Sequence, residues 1–208
     1  MEKVHSLRYE LDKRLLDVLF AVLLLVPWML VGTVLAVLVR CSSRGPIFYR
    51  EFRVGRNGEP FLIWKFRTMW IGEERRRALE KAQHTELDIR SFHKQDVDPR
   101  VTPVGRILRR WSLDEMPQLI NVLRGEMSMI GPRPIVAAES KLYGDDFPYY
   151  CAVRPGLSGL WQVSGRSNLS YPERVKLDRS YVHNWSLTMD LEILLKTIPT
   201  VLKTDGAY

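Results

Sequence analysis

The sequence predicts a helix-rich α/β domain with one short β-hairpin, carried on an N-terminal helix embedded in a membrane. Three observations support this. An apolar run from Leu15 to Val39 is interrupted mainly by Asp17, Pro27, Gly32 and Thr33. Two apolar-aromatic segments flank Asn57-Gly58, a dipeptide suited to a tight hairpin turn. Downstream, apolar residues recur at helical rather than alternating spacing.

The apolar run comes first along the chain. At about 1.5 Å rise per residue it could cross a ~30 Å hydrocarbon core. It is too long for a secretory leader, and no small-residue cleavage site follows it. A helix of such uniform polarity could also be buried in a large protein. Lys13 and Arg14 precede the run, while Arg40, Arg44 and Arg50 follow it, so flanking charge gives no orientation. Pro27, near the midpoint, lacks an N–H and crowds the carbonyl of Leu23, which predicts a kink. A re-entrant helix that bends at Pro27 and returns to the same face satisfies both facts, each arm reaching only ~18 Å. A kinked spanning helix is the alternative. Asp17, a turn from the start, is expected at the interface.

Composition turns mixed and charged near Ser42 to Gly45, which divides the chain into a membrane segment, 1–44, and a mixed, charged domain, 45–208. Phe48 to Val54 and Phe61 to Phe66 read as the hairpin strands. Helices are expected from Glu73 to Gln83, from Val104 to Arg110, and from about Asp114 to Leu123. Irregular proline- and glycine-rich chain should dominate from Gly125 to Gly165. Two further helices follow, Pro172 to about His183 and Thr188 to Leu202. The last carries Leu191, Leu194, Leu195, Ile198, Val201 and Leu202, a stripe suited to core or membrane surface, with core favoured.

The 208 residues carry a formal net charge of +7. That surplus suits anionic lipid, phosphorylated substrates or nucleic acid. Nucleic acid is disfavoured, because the aromatics are not interleaved with basic residues as a stacking platform requires. Cys41 and Cys151 follow no metal-ligand spacing and are expected as free thiols.

Asp114-Glu115 is the candidate reactive pair. Ser112-Leu113-Asp114-Glu115 also matches a capping box, the plain structural alternative. Pro117 argues for Asp114 rather than Ser112 at the helix mouth, where free N–H groups keep a carboxylate ionised. Gly131-Pro132-Arg133-Pro134, Arg154-Pro155-Gly156-Leu157-Ser158-Gly159 and Ser164-Gly165-Arg166 place arginines beside glycine turns, a pattern suited to diphosphate or to turn chemistry alone. No Walker or dinucleotide-binding glycine motif occurs.

Taken in order, five motifs closely resemble the bacterial sugar transferases, the monotopic phosphoglycosyl transferases acting on polyprenol phosphate. They are Lys65-Phe66-Arg67-Thr68-Met69, Ser112 to Gln118, Gly131 to Pro134, Arg154 to Val163, and Leu177-Asp178-Arg179-Ser180-Tyr181. The resemblance runs from about Lys13 to Tyr208. It implies that Asp114 attacks the sugar-bearing phosphate of a UDP-sugar, releasing UMP, and that undecaprenyl phosphate then accepts the phosphosugar. It implies Glu115 as metal ligand or proton acceptor and Mg2+ bound at Asp114 and Glu115. Lys65, Arg67, Arg109, Arg133, Arg154 and Arg166 would hold phosphates, and Asp178 would shape the pocket. The implied location is the cytoplasmic face of a bacterial inner membrane, with a homo-oligomer allowed. This chain has Val26 where some relatives place a serine before the helix-breaking proline. Its ending, Asp205-Gly206-Ala207-Tyr208, resembles the large subclass, so the chain is expected to be a short member or the catalytic half of a longer one. A non-catalytic membrane-tethered scaffold of polysaccharide assembly is the rival reading.

Overall fold

A computed structural model describes residues 7–83 and 98–202. The chain opens with helix α1, Leu7–Ser42, which is helical on both sides of Pro27. The proline removes one bond of the ladder without ending the helix. Among the described residues α1 alone is long and apolar enough to cross a membrane. One stripe of it docks on the rest of the protein along nearly its whole length. Ala21 is fully buried in the main core, Phe20 and Leu25 pack against that core, and Val39 anchors a second cluster with Phe66 and Leu108. The other faces expose leucine and valine throughout, Leu30 to 77% and Leu15 to 70%. Leaving a buried-type side chain in water forfeits ~1.5–3 kcal/mol, so the outward side of α1 as a whole demands an apolar solvent.

Both ends of α1 are tied down by charge. Lys13 Nζ donates to Asp190 Oδ2 at 2.7 Å and to the Ile130 carbonyl at 2.9 Å. Asp17 Oδ1 accepts from Ser128 Oγ and from the Met129 N–H, each at 2.8 Å. Asp17 is therefore buried in protein rather than held at an interface as expected. An i,i+4 pair on one helix face enters the core together because the strand backbone beneath supplies the partners. At the far end, Arg67 donates to the carbonyls of Val39, Ser43 and Arg44, capping the helix.

Strands β1, Phe48–Val54, and β2, Pro60–Phe66, form an antiparallel hairpin with Phe48 opposite Phe66 and Val54 opposite Pro60. Asn57 and Gly58 both take positive φ at its turn, as the sequence predicts. The outer edge of β2 is closed by one side chain. Asn121 Oδ1 accepts from the Trp64 N–H and Asn121 Nδ2 donates to the Leu62 carbonyl, taking the place of a third strand. Then come α2, Gly72–Gln83, and α3, Pro103–Arg110, whose N-cap Thr102 accepts from the Gly105 N–H. A 3-10 turn, Leu113–Gln118, leads into α4, Leu119–Arg124.

The stretch from Gly125 to Gly165, expected to be irregular, holds short ordered elements: β3, Ser128–Ile130; α5, Ser140–Tyr143; α6, Phe147–Cys151; β4, Gly156–Ser158; and α7, Leu160–Ser164. β3 and β4 pair in parallel. Strands of three residues carry no readable periodicity, so only long-range pairing reveals them. Helix α8, Tyr171–Asn184, starts with a capping box between Ser170 and Glu173. Helix α9, Leu187–Leu202, meets the expected core stripe at Leu194, which packs against the main core, and corrects most of the rest. Asp190 and Ile193 are buried, whereas Leu187, Leu191, Leu195, Ile198 and Leu202 are exposed. The inward face is fixed by Asp190, which also accepts from Tyr181 and Trp185. Both cysteines are free thiols.

Candidate active site

The site forms where β2, α3, the 3-10 turn and the two parallel strands meet. Ser112 adopts φ 53 and makes no side-chain cap bond, so the capping-box reading fails. Asp114, expected as N-cap, instead lies inside the first turn. Left-handed backbone at Ser112 turns the chain sharply enough to present two consecutive carboxylates on a tight turn.

Lys65, on the inner face of β2, donates to Glu115 Oε1 at 2.6 Å. Arg133 reaches the same oxygen at 3.3 Å. Burial acts to raise the Glu115 carboxyl, but Lys65 and then Arg133 outweigh it and hold the group at about 2. Asp114 behaves oppositely. Burial and the neighbouring Glu115 push it above the usual carboxylate range, against the pull of Lys65 and Arg109. Among the described residues no cation forms an ion pair with Asp114 at contact distance. The pair is thus divided: Glu115 is committed to two cations, whereas Asp114 carries no contact ion pair among the described residues.

Arg109 is positioned from α3 by donating Nε to Thr68 Oγ1 at 3.0 Å. Gly105 lets α3 approach that segment, since a Cβ there would sit 2.1 Å from the Thr68 carbonyl oxygen. Arg133 is positioned by a second close approach. A Cβ on Gly156 would meet the Gly131 nitrogen at 2.1 Å, and the Gly156 N–H donates to the Pro132 carbonyl at 2.7 Å. These glycines serve contact between two backbones, which fixes the arginine loop against β4.

A cleft opens here, lined among others by Arg53, Lys65, Glu115, Gln118, Arg133 and Gln162. Asp114 lies beside it rather than in its lining. Arg53, Gln118 and Gln162 were not singled out from sequence. Gln118 and Gln162 lie within the motifs that carry the resemblance, and Arg53 shows no signal beyond alternation on β1. Buried Gln118 Nε2 and Gln162 Oε1 make no hydrogen bond within the described structure. Polar atoms so placed beside a cleft are suited to a polar ligand.

The other expected residues lie elsewhere. Arg67 caps α1. Arg154 donates to the Gly125 carbonyl and pairs with Glu10 of α1. Arg166 opens a turn at φ 51 and does not line the cleft. Asp178 sits in a separate core cluster, where Tyr143 donates to it at 2.7 Å, and burial raises its carboxyl to about 7.

Two adjacent carboxylates, with both cationic contacts on one oxygen of Glu115, suit magnesium, which takes one or two carboxylates together with substrate phosphates. No cluster of three acidic, histidine or cysteine ligands occurs among the described residues. Such a cluster is not needed for that mode.

Comparison with known proteins places the chain in a family. The profile of a family described as bacterial sugar transferase matches residues 8–204. The exopolysaccharide production protein ExoY of Sinorhizobium fredii is 46% identical over 200 residues, covering 95% of this chain and 88% of that protein. The UDP-galactose-lipid carrier transferase of Erwinia amylovora is 44% identical over 98% of this chain, which spans only 43% of that relative. The UDP-glucose:undecaprenyl-phosphate glucose-1-phosphate transferase of Caulobacter vibrioides is 42% identical, over 96% of this chain and 73% of that protein.

Proposed function

Because the chain belongs to the bacterial sugar transferase family, we propose that it transfers a sugar-1-phosphate from a UDP-sugar to undecaprenyl phosphate, releasing UMP. The observation that carries this is the division of the carboxylate pair. A nucleophile is best left out of contact ion pairs, and among the described residues Asp114 is in none while Glu115 is held by Lys65 and Arg133. An Asp114 oxygen attacks the sugar-bearing phosphorus, and the bond from that phosphorus to the UMP oxygen breaks. An oxygen of the lipid phosphate then attacks the same phosphorus and frees the aspartate. Glu115 keeps the cations in place, and Arg109, Lys65 and Arg133 offset the charge of each phosphate in turn. Bound magnesium, held by Asp114 and Glu115, would supply further charge neutralisation for the diphosphate.

Membrane seating follows from α1. A helix crossing the bilayer separates its ends by the ~30 Å core, so one compact domain could hold only one of them. Here Lys13 and Val39 both pack on the same domain. This supports a re-entrant helix with both ends on the cytoplasmic face of the inner membrane, where nucleotide sugars are made. The names of two relatives favour UDP-galactose or UDP-glucose as donor, and a third is named for exopolysaccharide production, which supports a role in surface polysaccharide synthesis. The test is UMP release from a panel of UDP-sugars with undecaprenyl phosphate. Sustained release with one donor, no more than about one UMP per enzyme without lipid, and none without enzyme is expected; silence across the panel would sink the reading.

A further inference from the structure

The β-hairpin has two faces with different occupants. Its inner face carries Arg53, Ile63 and Lys65 toward the core and the cleft. Its outer face is built from three cross-strand pairs, Phe48–Phe66, Arg50–Trp64 and Phe52–Leu62. A sheet face in water is ordinarily polar, yet this one carries a single charge among aromatic and aliphatic side chains. Phe52 is 65% exposed, and Phe48 and Leu62 are exposed too.

The patch reaches α1 through Phe66, which is itself buried with Val39 and Leu108 beside the half-buried Trp28. Phe66 meets Trp28 of α1 with ring centroids 6.3 Å apart and stacks on Phe48 at 5.3 Å. Phe48 in turn meets Trp64 edge-on at 5.6 Å. At the end of this aromatic row two exposed arginines lie over the Trp64 ring, Arg50 at 5.0 Å and Arg124 of α4 at 5.7 Å. Aromatic rings flanked by guanidinium groups suit the level between acyl chains and lipid phosphates.

We infer that the outer face of the hairpin is a second membrane-contact surface, with Phe48, Phe52 and Leu62 at the acyl boundary and Arg50 and Arg124 on the phosphates of anionic lipids. This rests on the membrane seating of α1 proposed above. A second copy of the chain fits less well, because a two-fold contact through this patch would gather Arg50 and Arg124 of both copies together without acidic partners on the patch. The surface also bears on the site. Trp64 and Lys65 are consecutive on β2 and point to opposite faces. The strand that touches lipid therefore carries the cation on Glu115, which sets the height of the carboxylates above the headgroups.

The test uses the full chain with Cys41→Ser and Cys151→Ser, in nanodiscs of phosphatidylcholine with phosphatidylglycerol. A single cysteine replacing Phe52 carries an environment-sensitive fluorophore, and a second protein carries it at Leu30 on α1. Lipids brominated near the top of the acyl chain act as quencher. Both labels should be blue-shifted and quenched, and Arg50→Glu with Arg124→Glu should at least halve quenching at position 52 alone. A water-like, unquenched label at 52 beside a quenched label at 30 overturns this surface and leaves the seating of α1 intact. A blue-shifted label at 52 that brominated lipid does not quench shows cover by protein and also overturns it. Loss of quenching at both positions overturns the seating of α1, and this surface with it. Because turnover is not the readout, a failure to release UMP would count against the proposed activity and not against this surface.

Discussion

At the residue scale the carboxylate pair gives the sharpest predictions. Asp114→Asn should lower UMP release by a factor on the order of 10³ or more and abolish the covalent phosphosugar adduct. Thermal unfolding should barely move, since Asp114 serves as no helix cap. Turnover near the wild-type rate in Asp114→Asn would remove the nucleophile assignment. Chelation should stop UMP release and added magnesium should restore it; full activity in excess chelator would leave charge neutralisation to Lys65, Arg109 and Arg133 alone. Asp178 makes a different kind of prediction. Its carboxyl stands at about 7 in the fold against a usual 3.8. The native state thus keeps a proton that the unfolded chain has released, and stability from this group falls as pH rises from about 4 through 7. Asp178→Asn can still accept from Tyr143 and should flatten that part of the pH–stability profile in thermal melts. An unchanged slope would show that Asp178 ionises normally in the fold.

Among the elements, α1 depends on its cap. Arg67 is 4% exposed and donates to three carbonyls at the end of the helix. Arg67→Met should destabilise the fold by about 2–4 kcal/mol, because the carbonyls lose charged partners inside the protein. Its KM for the UDP-sugar should stay near wild type, measured on the folded fraction. A KM raised tenfold with stability unchanged would instead return Arg67 to the phosphate site. The hairpin and the longer helices were legible in the sequence, since turn residues and periodicity are local properties. β3 and β4 were not, because three residues show no alternation, and their pairing depends on Gly131 and Gly156 meeting across a gap in sequence. The stripe of α9 leaves core and membrane surface both open in the sequence, because a periodic apolar face reads the same toward protein or lipid.

For the whole molecule the testable matter is topology. Single cysteines at Lys3 and Arg44, in a background lacking Cys41 and Cys151, should both resist a membrane-impermeant thiol reagent on intact cells and react after lysis. Labelling of the Lys3 position alone before lysis would establish a spanning helix. The motive is structural: Lys13 and Asp17 bind β3 and α9, while Val39 packs on Phe66 and Leu108. Charge at the flanks could not decide this, and one of the charges counted there, Lys13, is neutralised by Asp190 inside the protein.

The sequence alone determined the apolar helix, the composition boundary after it, the hairpin and the residues that place the chain in its family. Each is a matter of local pattern or of identity at a position. Tertiary structure decided which cations gather at the candidate site. Lys65, Arg109 and Arg133 come from three separate elements to surround two carboxylates, while Arg67 and Arg154, from equally suggestive motifs, are spent on backbone carbonyls and on Glu10. A guanidinium binds a phosphate, a carboxylate or a helix end through the same N–H groups. Which of these it finds depends on which backbones lie close enough to touch, and at Gly105, Gly131 and Gly156 that closeness comes from the absence of a side chain.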